Sequence, residues 1–256
     1  MPKFAANLTM LYNEVDFLDR FDAAARDGFK GVEYLFPYPY EKQQLVDRLK
    51  KNDLTQVLHN LPAGDWAAGE RGIAILPDRV GEFQDSVGKA IEYATALGCK
   101  KVNVLAGIAP KKADADKLRE TFISNLKFAA PKLKDAGIML VMEPINTYDM
   151  PGFYLNHTQQ ALDLIDAVGS DNLFVQYDIY HMQRMEGELA ATIQKHFAKI
   201  GHIQIADNPG RNEPGTGEIN YPFLFKFIDQ LGYDGWVSGE YKPAGKTSDG
   251  LGWMRT

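Results

Sequence analysis

The sequence predicts an α/β protein, a (β/α)8 TIM barrel built as a single domain over residues 1–256. Three observations predict it. Eight short apolar runs alternate with amphipathic, helix-period runs along the chain. A glycine stands just past most of the helical runs, where a left-handed C-cap is expected. The length, 256 residues, matches eight such repeats closing on themselves.

The elements follow in order. Strand patterns fall at residues 4–10, 31–36, 55–60, 101–106, 137–143, 173–178, 200–206 and 236–241. Between them, residues 16–27 form a helical pattern ending at Gly28, and 41–52 form a second that leads into the third strand. Residues 81–97 end at Gly98, 114–136 at Gly137 and 158–168 at Gly169. Residues 188–199 precede the seventh strand, and 221–231 end at Gly232. The repeating phrase is helix, glycine, apolar strand, as in "DGFKGVEYLF", "LGCKKVNVLAG" and "AGIMLVME". A last helix after Tyr241 is short or missing. The competing architecture is an open doubly wound sheet. Its usual dinucleotide version loses support because no G-x-G-x-x-G follows the first strand, and no organic cofactor is expected.

Composition narrows the function. The net charge is −6 and the pI about 5.4, which suits nucleic acid poorly because phosphate must be neutralised by cations. Cys99 is the one cysteine, so no intrachain disulfide forms, as in a reducing compartment. The start shows no apolar signal segment, and no run has the length of a membrane span. A cytoplasmic protein with a small-molecule substrate, and without nucleic-acid or membrane partners, is the expectation. The sequons at Asn7 and Asn156 then carry no meaning.

In such a barrel the C-terminal strand ends carry function. The fifth strand ends "MLVMEP", with Glu143 before a proline that cannot extend a ladder. The sixth ends "FVQYD" at Asp178; the seventh reads "HIQIAD", with Gln204; the eighth reads "WVSGEY", with Glu240. Strand alternation makes two inward layers, Glu143, Asp178, Gln204 and Glu240 above, and Gln176, His202 and Ser238 beneath. Each acid alone reads as a surface or ion-paired group. Four polar ends in succession read as a site. Three carboxylates in one mouth repel one another, and a divalent cation resolves the repulsion. Hard oxygen donors select Mg²⁺ or Mn²⁺, with the lower layer orienting the ligands.

The stretches "FAANLTML", "GVEYLFPY", "LHNLPAGDWAAGERGIA", "MEPIN", "QYDIYHMQRMEGEL", "HIQIADNPGRNEPGTGEINY" and "GEYKP" span nearly the whole chain. On them the sequence resembles the xylose isomerase-like barrel superfamily, and within it the hydroxypyruvate isomerase family. The resemblance implies a metal-dependent isomerase in which Glu143 and Glu240 are proton donor and acceptor. It also implies a cation held by Glu143, Asp178, Gln204 and Glu240. One departure stands out: many sugar epimerases of the superfamily have histidine where this chain has Gln204. An amide oxygen is harder, which favours Mg²⁺.

The implied reaction moves a proton from C3 of hydroxypyruvate to C2 through an enediolate, giving tartronate semialdehyde. Two carboxylates across the substrate serve as base and acid. The substrate carboxylate calls for a cation: Arg71 in "AGERG" or Arg211 in "NPGRNEPG", each with a loop salt bridge to its neighbour Glu70 or Glu213 as the alternative reading, or Lys242 after Glu240. His181, placed at the start of a loop after Asp178, and His59, at the end of the third strand, are further substrate-binding candidates. His202 reads as a supporting group, and His157 and His196 as surface positions. The aromatic stretch Tyr34 to Lys42 reads as loop packing or as a contact between copies in a homo-oligomer. Three other readings compete: isomerisation of a four-carbon 2-oxo-tetronate, an abasic-site nuclease, which the few histidines and acidic charge oppose, and a non-catalytic binding barrel.

Overall fold

In the computed structural model, which describes residues 1–255, eight parallel strands close into a barrel in chain order. They are β1 (Lys3–Asn7), β2 (Gly31–Glu33), β3 (Thr55–Asn60), β4 (Lys101–Val104), β5 (Met139–Met142), β6 (Leu173–Asp178), β7 (Ile200–Ile205) and β8 (Trp236–Gly239). Closure is made by β1, which pairs with β2 on one side and β8 on the other. Strands β3 and β6 match their sequence patterns, and the other six stop short at the mouth end, where the chain turns into the loops.

The outer ring is α1 (Arg20–Arg26), α2 (Lys42–Lys51), α3 (Val80–Leu97), α4 (Ala115–Asp135), α5 (Thr158–Val168), α6 (Ile179–Met185), α7 (Leu189–His196) and α8 (Tyr221–Gln230). Local signals set their ends. Asp114 caps α4 by accepting from the N–H groups of Asp116 and Lys117. Glu41 and Gln44 form a reciprocal capping box on α2. Gly98 and Gly169 end α3 and α5 at φ of 66° and 70°, in the left-handed region. After β8 the chain runs into a 3₁₀ segment, Thr247–Arg255, instead of a full helix. Helix α6 corrects one expectation: residues 179–185 are helical, so His181 lies on a helix and not in a loop.

The helices' apolar faces (Phe83, Val87 and Ala90 of α3, Phe122, Leu126 and Leu133 of α4) are buried against the barrel's outer surface. Beneath the mouth, Ala5, Val57, Leu58 and Val141 form a small buried cluster, with Met139, Phe174 and Trp236 packed against it. Above it the buried residues turn polar. Two ladder irregularities fall there, between Val32 and Glu33 in the β2–β3 pairing and between Val175 and Gln176 in the β6–β7 pairing. Such irregularities re-aim side chains beside functional sites. The loops after β3 and β4 meet backbone to backbone: a Cβ on Gly72 (φ +120°) would sit 2.3 Å from the Leu105 carbonyl oxygen.

Candidate active site

Glu143 follows β5, Asp178 ends β6, Gln204 lies in β7 directly opposite Asp178, and Glu240 follows β8. All four are buried. Side-chain amides join three of them, Glu143, Gln204 and Glu240. Gln204 Nε2 donates to Glu240 Oε2 at 2.6 Å, and Gln176 Nε2 donates both to Glu143 Oε2 at 2.9 Å and to Gln204 Oε1 at 2.6 Å. The lower polar layer therefore grips the upper one.

Two oxygens are left over. Glu143 Oε1 and Asp178 Oδ2 are buried and have no hydrogen-bond partner. A buried carboxylate oxygen without a donor is costly and calls for a cation or a proton. Glu143, Asp178 and His181 each offer an atom within 4.8 Å of the others. Electrostatics agree. Burial, with Glu240 and Asp178 beside it, pushes Glu143 well above the ordinary carboxylate range. Burial pushes Asp178 up to about 6 and Glu240 up to about 8, although Arg211 pulls both down. Crowded acids that resist ionisation until a positive charge arrives, with two orphaned hard oxygens among them, fit a divalent cation.

The other oxygen of Asp178 is engaged. Oδ1 accepts from the N–H groups of Tyr180 at 2.8 Å and His181 at 3.3 Å, capping α6. That cap starts the helix at once and brings His181 back over the mouth. His181 is buried, and burial, then Arg211 and Arg184, hold it well below the ordinary imidazole range, so the ring is neutral. Its Nε2 faces Glu143 Oε1 at 3.6 Å and Asp178 Oδ2 at 3.7 Å.

Arg211 reaches the site from the β7–α8 loop. Its backbone has φ 55°, a strained value for arginine. The loop is held by Asp207, whose carboxylate accepts from the N–H groups of Asn208, Gly215 and Ile219 at 2.9, 2.8 and 3.1 Å. Arg211 Nη2 donates to Glu240 Oε1 at 2.9 Å, and its buried Nε has no partner. Glu143, His181, Arg211, Glu240 and Asn60 share a cavity of about 180 Å³ with Met10, Leu35, Trp66, Leu105, Ile145 and Met150. Acids, bases and apolar side chains share its lining. A larger cavity of about 420 Å³ at the opposite end of the barrel, around Phe174 and Trp236, holds none of this acid–imidazole cluster.

His59, Arg71 and Lys242 stand outside this cavity. On β3 it is Asn60 that enters the mouth, so His59 faces the other way, bonded through Nδ1 to the Asn60 carbonyl at 3.0 Å. Arg71 stacks on Trp66 with 4.1 Å from guanidinium to ring centroid, and donates to the Trp66 and Glu70 carbonyls. It supports the wall from behind. Lys242 lines a separate groove with Thr9, Met10 and Glu14, while its N–H donates to the Arg211 carbonyl at 2.7 Å.

Several buried polar groups at the ends of the early strands were not foreseen. Glu33 of β2 accepts from His202 Nε2 at 2.8 Å, Gln204 Nε2 at 2.6 Å and Asn7 Nδ2 at 3.1 Å. Burial works against its ionisation, but His202, Gln204 and Ser238 stabilise the carboxylate and hold it below the ordinary value. Asn7 also donates to Glu240 Oε2 at 2.9 Å, and Asn103 to Asn60 Oδ1 at 3.1 Å. Their signal is a lone polar residue at a strand end, in "AAN", "GVE", "LHN" and "VNV".

The comparisons agree with this fold. A family model described as xylose isomerase-like TIM barrel matches residues 21–256. The chain is 57% identical to a protein named hydroxypyruvate isomerase from Escherichia coli, over 99% of this chain and 98% of that one. It is 51% identical to one named 2-oxo-tetronate isomerase from Cupriavidus necator, over 100% and 98%. A solved structure titled AP endonuclease, family 2, from Brucella melitensis superposes with a TM-score of 0.98 at 47% identity, covering 100% of this chain and 98% of that one. With its closed eightfold barrel and acids gathered at the strand ends, the chain belongs to the xylose isomerase-like TIM barrel family.

Proposed function

We propose that the protein is an intramolecular oxidoreductase of the aldose–ketose type, a hydroxypyruvate isomerase interconverting hydroxypyruvate and tartronate semialdehyde (2-hydroxy-3-oxopropanoate). The observation that carries this is the pairing of Glu143 and Glu240 in one cavity with Arg211, in a chain 57% identical to a protein of that name. Glu143, Asp178, Gln204 and Glu240 would hold the cation, Mg²⁺ or Mn²⁺, with Asp178 Oδ2 and Glu143 Oε1 as the open positions. When bound, it supplies Lewis-acid stabilisation of negative charge on the substrate's adjacent oxygens.

The chain's residues do the rest. Glu143 and Glu240, from strands three apart in the barrel, move the proton between C3 and C2, one as base and the other as acid. Without the cation burial holds both above the ordinary carboxylate range, and a bound cation would pull them back toward the ionised form that a base needs. Arg211 binds the substrate carboxylate, its unpartnered Nε being free to complete a fork. His181 donates to a substrate oxygen. Trp66, Leu105, Ile145 and Met150 keep water from the carbanionic intermediate. We place the whole chain, 1–256, in one domain of a cytoplasmic enzyme without nucleic-acid partners; no helix among the described residues is long and apolar enough to cross a membrane.

A second reading, 2-oxo-tetronate isomerase, is favoured by the 51% identical relative and another at 47% from Pectobacterium atrosepticum. Chelator-stripped protein assayed on hydroxypyruvate and on 2-oxo-tetronates, with Mg²⁺ or Mn²⁺ added back, separates the two. Metal-dependent turnover with higher kcat/KM on hydroxypyruvate supports the first reading. Preference for the four-carbon acid replaces it with the second.

A further inference from the structure

We propose that Asn146 is a positioning residue that fixes the proton of His181 on Nε2, so that His181 presents an N–H donor to the cavity and stays outside the cation's ligand set. The proposal deepens the isomerase reading and rests on it for its consequence, though not for its first test.

Proximity alone would make His181 a ligand, since its ring lies within 4.8 Å of the two orphaned carboxylate oxygens. The hydrogen bonds say otherwise. Asn146 Oδ1 accepts from two backbone N–H groups, Tyr148 at 3.0 Å and Asp149 at 2.8 Å. Backbone N–H groups only donate, so the orientation of the amide is settled: oxygen toward the loop, NH₂ toward the ring. That NH₂ lies 2.7 Å from His181 Nδ1 and 3.2 Å from Asp149 Oδ2, which accepts its other proton. The Asn146 backbone N–H also points at Nδ1, at 3.4 Å. Two donors converge on Nδ1, so it must offer its lone pair. A neutral imidazole has one proton, which is then on Nε2.

One contact opposes this, Arg211 Nη2 at 3.4 Å from His181 Nε2. It is at the edge of bonding range, and the guanidinium already donates to Glu240 at 2.9 Å. Against the 2.7 Å amide contact it does not decide the tautomer. Nε2–H then faces Glu143 Oε1 and Asp178 Oδ2 at distances too long for direct bonds. The gap fits an oxygen that accepts from His181 while the carboxylates face the cation. Metal-ligating histidines show the reverse arrangement, with the second nitrogen donating to a carboxylate or carbonyl.

The test is a long-range proton–nitrogen spectrum of ¹⁵N-histidine-labelled protein, with His181→Gln used to assign the signals. The expected result is that the protonated nitrogen of His181 correlates with both ring carbons' protons, as Nε2 does, before and after Mg²⁺ is added. A protonated Nδ1, or its appearance on adding Mg²⁺, overturns the proposal; neither outcome depends on turnover. Asn146→Asp, which keeps the acceptor for both loop N–H groups, is expected to invert the tautomer and to cut kcat at least about tenfold in the folded protein. An uninverted tautomer in that variant overturns the role of Asn146. By calorimetry, His181→Gln is expected to change Mg²⁺ affinity by less than about threefold; a loss beyond about tenfold makes His181 a ligand and overturns the proposal.

Discussion

Glu143→Gln tests the acid cluster most directly, because the structure says the change is sterically silent. Glu143 Oε2 accepts from Gln176 at 2.9 Å and Asn103 at 3.4 Å, and a glutamine oxygen in that place accepts the same bonds. The new NH₂ falls where Oε1 has no partner and lies within 4.8 Å of an Asp178 atom that also lacks one. His181 Nε2, 3.6 Å from Oε1 and carrying its proton, offers that NH₂ no acceptor, so the swap carries a desolvation cost of about 1–3 kcal/mol against which the removed charge is weighed. What is removed is a buried carboxyl held well above its ordinary range by burial, Glu240 and Asp178. Each pH unit between the ordinary value and the raised one costs the folded protein about 1.4 kcal/mol, and about 1 kcal/mol moves the Tm of a chain this size by 2–4 °C. In chelator-treated protein at pH 8, Glu143→Gln is expected to raise Tm by a few degrees. Turnover of hydroxypyruvate is expected to fall about 10²–10⁴-fold, the ordinary contribution of a general acid–base group. Calorimetry and a substrate-consumption assay read the two effects separately. A Tm lower than wild type by more than a few degrees refutes the charge crowding, and retention of more than about a tenth of the activity refutes the proton-transfer role.

Glu240→Gln is expected to lose similar activity but also stability, about 1–3 kcal/mol in denaturant titration, because any amide orientation sets its NH₂ against a donor: Arg211 on one side, Asn7 and Gln204 on the other. Metal-free protein should lose stability as pH rises. The folded values of Asp178 and Glu240, about 6 and about 8, exceed the unfolded ones, so the stability they give is full below about pH 4 and is lost as pH climbs through about 8. The Tm gain on adding Mg²⁺ should therefore be larger at pH 8 than at pH 6, and the opposite order would contradict the assignment. Arg211→Met is expected to raise KM at least about tenfold by removing the carboxylate clamp; an unchanged KM assigns that role elsewhere. Glu33→Gln sets an NH₂ against one of the donors His202, Gln204 or Asn7, and is expected to loosen the Gln204 anchor and weaken Mg²⁺ binding about 10–100-fold by calorimetry; full affinity would show that the amide needs no such anchor.

The barrel was legible because its signal is redundant: eight repeats of one phrase, most closed by glycine. The late acids were legible because each stands where an apolar run stops. The phase of a strand is harder to read. His59 and Asn60 are adjacent, and a one-residue difference decides which enters the mouth. No local pattern in "VLHNL" fixes that phase; the neighbouring strands do. Glu33 is one polar residue after an apolar pair, and its inward aim accompanies a ladder irregularity at Val32–Glu33 that pattern does not announce. Helix α6 escaped notice because Asp178 serves both as strand end and as helix cap. Arg211 could be named from its glycine-rich surroundings, but its hold on Glu240 comes from the Asp207-centred loop, which is tertiary.

Asp178 carries a consequence of its own. One oxygen is moored to two amides at the head of a helix, so its twin has no freedom to swing aside. The rotamer is set by the head of the helix. A cation bound there would meet a ligand already in place on this flank of the mouth. The folding of a short helix, completed long before any substrate arrives, has set one corner of the chemistry in advance.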